Sequence, residues 1–111
     1  MIVKPDSELF LKLVPAVCKI YGDNLLSLIL YGSVARGTAT EDSDIDIALL
    51  VKKDNKDMYD RLLDVIVDLD LEYDQVIATS LIEISTYEKW KTVLPYYRNI
   101  EREGIKLWTA A

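Results

Sequence analysis

Histidine is absent from these 111 residues and cysteine occurs once. Without an imidazole, a Ser-His-Asp or Cys-His nucleophile cannot be assembled, and zinc sites built on histidine are excluded. Acid–base work falls to carboxylates, which are also hard oxygen ligands suited to Mg²⁺ or Mn²⁺. The lone Cys18 has no partner for an intrachain disulfide and no histidine to activate it, so it is expected to serve as a small core residue.

Positive charge is also scarce. Thirteen lysines and arginines stand against 19 acids, a net charge of −6, so general nucleic-acid binding, which depends on cations meeting phosphates, is not expected. The only candidate basic patch, Lys52, Lys53 and Lys56, is interrupted by Asp54 and Asp57. No apolar run approaches the roughly 20 residues that span a bilayer. The first residues lack the basic-then-apolar layout of a signal peptide. A cytoplasmic protein without membrane association is the expectation. Repeats, linkers and low-complexity segments are lacking too, which makes residues 1–111 a single expected domain. It is too short for a separate substrate-binding domain, so a large substrate is expected to be held partly by another chain.

What is present is a readable order of elements. Apolar residues at Leu9, Phe10, Leu13, Val14, Val17, Ile20 and Tyr21 predict an amphipathic helix over Asp6–Tyr21, with Pro15 expected to kink it or divide it in two. Gly22-Asp23-Asn24 reads as a turn. Leu25–Tyr31 is a short continuous apolar run, as in a strand covered on both faces. Ile45–Val51 is a second strand, with Ile45, Ile47 and Leu49 on one side and Asp44, Asp46, Ala48 and Leu50 on the other. Lys56–Leu69 carries a helical stripe, and Asp57 and Arg61 have favourable i, i+4 spacing. Tyr73–Ile84 has strand composition, with a bend or bulge expected at Thr79-Ser80. Ser85 and Glu88 have the spacing of a capping box, Pro95 and Gly104 bracket a further helix, and Ile105–Trp108 is apolar enough to dock. Of the seven tyrosines, Tyr21, Tyr31 and Tyr73 sit at element ends and are expected to bury their rings with the hydroxyl at the rim. The late cluster of Trp90, Tyr96, Tyr97 and Trp108 is weighed toward core packing. The fold class is α/β or α+β, a small sheet covered by helices, without the alternation of a doubly wound fold.

Between the first two strands lies Gly32-Ser33-Val34-Ala35-Arg36-Gly37, followed by Glu41, Asp42, Asp44 and Asp46. A tight turn with free backbone N–H groups can hold phosphate, and carboxylates spaced i, i+2 on a strand point to one side. An acidic pair at the start of an apolar strand is costly unless it binds something, and a divalent cation satisfies both acids. The turn also sits at the C-terminal end of a strand, where open α/β sheets place ligands.

This pattern resembles the nucleotidyltransferase superfamily that includes DNA polymerase β. More narrowly, Leu30–Leu50 resembles the minimal nucleotidyltransferase (MNT) proteins, and Tyr97-Arg98-Asn99-Ile100-Glu101-Arg102-Glu103-Gly104 is similar to their ending, so the resemblance covers nearly the whole chain. It implies a small mixed sheet of the polymerase β-like fold covered by helices. It also implies that Gly32 and Ser33 hold the triphosphate of ATP and that Asp44 and Asp46 ligate two Mg²⁺ ions. A third carboxylate from a later strand would complete that site; Asp74 is the first choice, Glu72 the second, and a site lacking a third acid remains open. Arg36 is divided between a triphosphate contact and a salt bridge to Glu41 or Asp42. The implied reaction is transfer of AMP from ATP to a hydroxyl. The implied partner is a HEPN-domain ribonuclease toxin, to which MNT proteins are commonly the antitoxin, some of them adenylylating its tyrosine. Two other functions stay open: an antitoxin or adaptor that acts by binding alone, and transfer to a small molecule of the aminoglycoside type.

Overall fold

The computed structural model describes residues 3–110. Helix α1 (Glu8–Tyr21) leads through a 3₁₀ turn (Gly22–Asn24) into strand β1 (Leu25–Tyr31), followed by the short helix α2 (Gly32–Arg36) and strand β2 (Ile45–Val51). Helix α3 (Lys56–Tyr73), strand β3 (Ile77–Glu83), helices α4 (Ile84–Trp90) and α5 (Pro95–Glu103) and strand β4 (Ile105–Thr109) complete the order. One mixed sheet runs β3-β2-β1-β4, with β1 antiparallel to both of its neighbours and β2 parallel to β3. The expected mixed α/β class is the observed one. Among the described residues no helix is long and apolar enough to cross a membrane.

The strands are apolar on both faces because both are covered. Leu28, Leu30, Ile45, Ile47, Leu49 and Ile77 pack against Leu9, Leu13 and Val17 of α1 and Leu62, Ile66 and Leu69 of α3. Ile29, Ala48 and Ile82 meet Tyr87 of α4 and Ile100 of α5 on the other face. Gly104 lets the chain turn from α5 toward β4, since an added Cβ there would strike the Ile100 carbonyl and Ile29.

Several local expectations are corrected. Pro15 does not divide α1, which is a single helix. An interior proline costs about 3 kcal/mol, but Leu9, Phe10, Leu13, Val17, Ile20 and Tyr21 are all buried on its inner face, each contributing about 1.5–3 kcal/mol. Helix α3 runs past Leu69 to Tyr73; Asn55 caps its start by accepting a hydrogen bond from the Met58 N–H at 3.0 Å, and its i, i+4 ion pair is Lys56–Asp60 at 2.9 Å rather than Asp57–Arg61. Strand β3 pairs with β2 without a break at Thr79-Ser80, whereas the register shifts fall in β1, at Leu25/Ser27 against β2 and Leu28/Ile29 against β4. The Ser85/Glu88 box does not form: α4 starts at Ile84 with no side-chain cap, and Glu88 pairs with Lys91 at 3.0 Å. The apolar tail is not merely docked but forms the edge strand β4. Trp90 and Tyr96 of the late aromatic cluster are exposed rather than buried.

Tyr21 departs furthest from the expected ring-in, hydroxyl-out placement. It is 1% exposed, and its hydroxyl is buried without a hydrogen-bond partner. An unpaired buried hydroxyl forfeits about 1–3 kcal/mol. Tyr21→Phe is therefore expected to leave stability unchanged or raise it by about 1 kcal/mol, measured as the midpoint of urea unfolding. A fall of that size would show that the hydroxyl does have a stabilising partner.

Candidate active site

The site is built where β1 hands over to β2. Gly32 has φ +74°, a left-handed conformation that disfavours side chains, and a Cβ added there would collide with the Asp46 carboxylate. Glycine at 32 is thus required twice, by dihedral angle and by space. The collision follows from the register, which places Tyr31, the residue before Gly32, opposite Asp46. Helix α2 is held down by buried Val34 and ended by Gly37 in the left-handed conformation. The leading N–H groups of such a turn have no intrahelical acceptor, and Ser33 stands among them.

The acidic loop is closed by its own hydrogen bonds. The Thr40 N–H donates to Ser43 Oγ at 2.9 Å, the Ser43 N–H donates to the Thr40 carbonyl at 3.2 Å, and the Ile45 N–H donates to the Val76 carbonyl at 2.8 Å. Asp44 is exposed and Asp46 half-buried. Burial is the main cause that raises the Asp46 carboxyl above its ordinary value; repulsion from Asp44 adds to it and the Arg36 guanidinium opposes it. The chain thus brings Gly32, Arg36, Asp44 and Asp46 together. Arg36 also pairs with Glu103 of α5 at 3.4 Å, not with Glu41 or Asp42.

The third carboxylate is placed differently. Asp74 is not on a strand: it ends α3 in a left-handed conformation (φ 52°, ψ 47°), three residues before β3 begins. It shares with Asp44 a cleft of about 330 Å³, whose lining includes Glu41, Asp42 and Ser43 but not Asp46. Among the described residues no three acidic side chains gather as a metal-holding group. The residue beside Asp46 on β3 is Ala78. Glu72 is drawn away by an ion pair with Lys12 of α1. Asp70 is a helix-end residue whose Oδ1 accepts the Ile77 N–H at 3.0 Å, although the Asp44 charge acts on it too.

Sequence reasoning missed a set of hydroxyls on the Asp46 face. Tyr31 Oη lies 3.2 Å from Ser80 Oγ and 3.1 Å from Tyr96 Oη. Burial pushes the Tyr96 phenol up to about 12, with a further contribution from the Asp46 charge. Strand alternation puts Tyr31, Asp46 and Ser80 on a common side once the β1–β2 and β2–β3 registers are known.

The nucleotidyltransferase domain family matches residues 11–107 of this chain. The chain belongs to that family. It is 41% identical over 66 residues to a Methanocaldococcus jannaschii protein named as a protein adenylyltransferase, a match covering 57% of this chain and 45% of the relative. A second M. jannaschii protein of the same name is 33% identical over 88 residues, 79% of this chain and 83% of the relative. The chain therefore spans under half the length of the first relative and most of the second. The fold is similar to that in a complex of tri-AMPylated Shewanella oneidensis HEPN toxin with MNT antitoxin (TM-score 0.54, 16% identity, covering 92% of this chain and 71% of that one).

Two predictions follow from the geometry. Gly32→Ala is expected to lose about 1–3 kcal/mol from the left-handed conformation alone, seen in the urea midpoint; an unchanged midpoint would refute the close approach to Asp46. The raised carboxyl sets the sign for Asp46→Asn. At pH 7 the ionised, half-buried Asp46 weakens the folded state, so without divalent metal the variant is expected to unfold at a higher temperature than the parent. That difference should shrink as pH falls through the raised Asp46 value and be absent below 3.8, the ordinary Asp value, where both states of the parent bind the proton.

Proposed function

We propose that this chain is a Mg²⁺-dependent nucleotidyltransferase that moves AMP from ATP to a hydroxyl, that residues 1–111 act as one catalytic domain, and that the acceptor is a tyrosine of a HEPN-type partner. The observation that carries this reading is the close approach of the Gly32 turn to Asp46, with Asp44 two residues before it. In it, groups able to hold phosphate and groups able to hold metal stand within one strand-to-strand handover.

Each residue then has a role. Backbone N–H groups at Gly32 and Ser33 take the triphosphate, and Arg36, which already offsets the Asp46 charge, adds a cation to them. Asp44 and Asp46 would hold Mg²⁺. The donor set fits, because Mg²⁺ is usually bound through one or two carboxylates together with substrate phosphates and water rather than in an all-protein cage. When bound, it would neutralise phosphate charge and lower the pKa of the attacking hydroxyl. Asp74 would reach in from the cleft it shares with Asp44 as the third acid. As the third acid, Asp74 would also help to take the acceptor's proton. The two relatives named as adenylyltransferases and the AMPylated HEPN toxin in the similar structure support a protein hydroxyl as acceptor and an antitoxin role.

A second reading, neutralisation of a partner by binding alone, draws on Ala78 standing where β3 could have offered an acid beside Asp46. One experiment separates the two. With purified chain, Mg²⁺, α-labelled ATP and the protein encoded beside it, label is expected on a tyrosine of that protein. Asp44→Asn/Asp46→Asn is expected to lower the rate about a hundredfold or more, and Asp74→Asn about tenfold. Label transfer that survives the double substitution would overturn the assigned site; a double variant that still neutralises the partner at equal expression would establish the binding reading.

A further inference from the structure

The sheet face that carries Asp46 also holds hydroxyls that this reaction does not use. Tyr31 stands opposite Asp46, and Ala48, two residues further along β2, is small enough for the Tyr31 hydroxyl to reach across to Ser80 on β3 at 3.2 Å. Tyr96 completes the group from the first turn of α5. Its hydroxyl lies 3.1 Å from that of Tyr31, and the two rings meet edge to face at 5.9 Å.

Tyr96 is held firmly. Pro95 opens α5, Ile100 anchors the helix in the core, and neighbouring Tyr97 packs edge-on against buried Tyr87 at 5.7 Å. Yet Tyr96 remains 41% exposed, whereas Tyr31 is half-buried on its strand. Of the phenols gathered on this face, Tyr96 is the one a bound ligand can reach from solvent.

We propose that Tyr96 is itself an acceptor, so that the chain transfers a nucleotidyl group from a nucleoside triphosphate onto its own Tyr96 Oη; this rests on the nucleotidyl-transfer reading of the site. Tyr96 Oη forms a bond to the α-phosphorus as the bond from that phosphorus to the bridging oxygen breaks. Pyrophosphate leaves with the electron pair of the broken bond, and the phenol proton passes to solvent. Tyr31 and Ser80 position the hydroxyl. The product is a phosphodiester on Tyr96.

The test uses the full chain with ATP and Mg²⁺ and no other protein. Intact mass and peptide mapping are expected to show one adenylyl group per chain, on Tyr96, and none in Tyr96→Phe. A reading independent of turnover is nitration by tetranitromethane, in which saturating α,β-methylene-ATP is expected to slow reaction at Tyr96 about threefold or more. An adduct on Tyr31 or elsewhere, or a nitration rate unchanged by bound nucleotide, overturns the proposal. If the chain labels a HEPN partner while its own tyrosines stay unmodified, the Tyr96 assignment alone falls. If it binds no α,β-methylene-ATP, the nucleotidyl-transfer reading falls with it.

Discussion

The architecture turns on one close approach, the Asp46 carboxylate lying in the space that a side chain at residue 32 would need. Antiparallel pairing of β1 and β2 sets that distance, because Tyr31 and Asp46 are partners across the ladder and Gly32 follows at once. A slip of one residue would send Asp46 into the face packed under α1 and α3 and turn Ile45 and Ile47 out of it. The core therefore enforces the site: the residues that bury Ile45, Ile47 and Leu49 under α1 and α3 also aim Asp46 the opposite way.

Holding two carboxylates near each other on a covered sheet is unfavourable until something neutralises them. The chain bears this cost by surrounding the pair with order. Val34 anchors α2, Thr40 and Ser43 tie the acidic loop, and Asp70 fixes the start of β3 through the Ile77 N–H. Arg36 supplies the nearest cation but divides its attention with Glu103.

How far the fold was legible in the sequence differs from element to element. Strands β1 and β2 were readable to the residue, because continuous apolar runs bounded by Gly22, Gly32 and the acidic loop leave little choice. The Gly32 turn and the Asp44/Asp46 pair were readable for the same reason, their geometry being local. What was not legible depends on pairing between distant segments. The start of β3 is set by its parallel register with β2, which leaves Asp74 in the turn and brings Ala78 beside Asp46. The hydroxyl group of Tyr31, Ser80 and Tyr96 draws on three elements, and no spacing rule connects them. Pro15 misled in the other direction, since its local penalty is outweighed by a buried helix face.

Strand β4 has a consequence for the order of assembly. It pairs with β1 through contacts such as Ser27 with Thr109 and Leu28 with Trp108, which span nearly the whole chain. Contacts of such long range close late, because the loop entropy must be met before they form. During synthesis β1, β2 and β3 can meet while β4 is still within or near the ribosome, and β1 then presents an open backbone edge. Strand β4 is what covers that edge, so β1 stays open to other chains until Ile105–Thr109 has been made and docked.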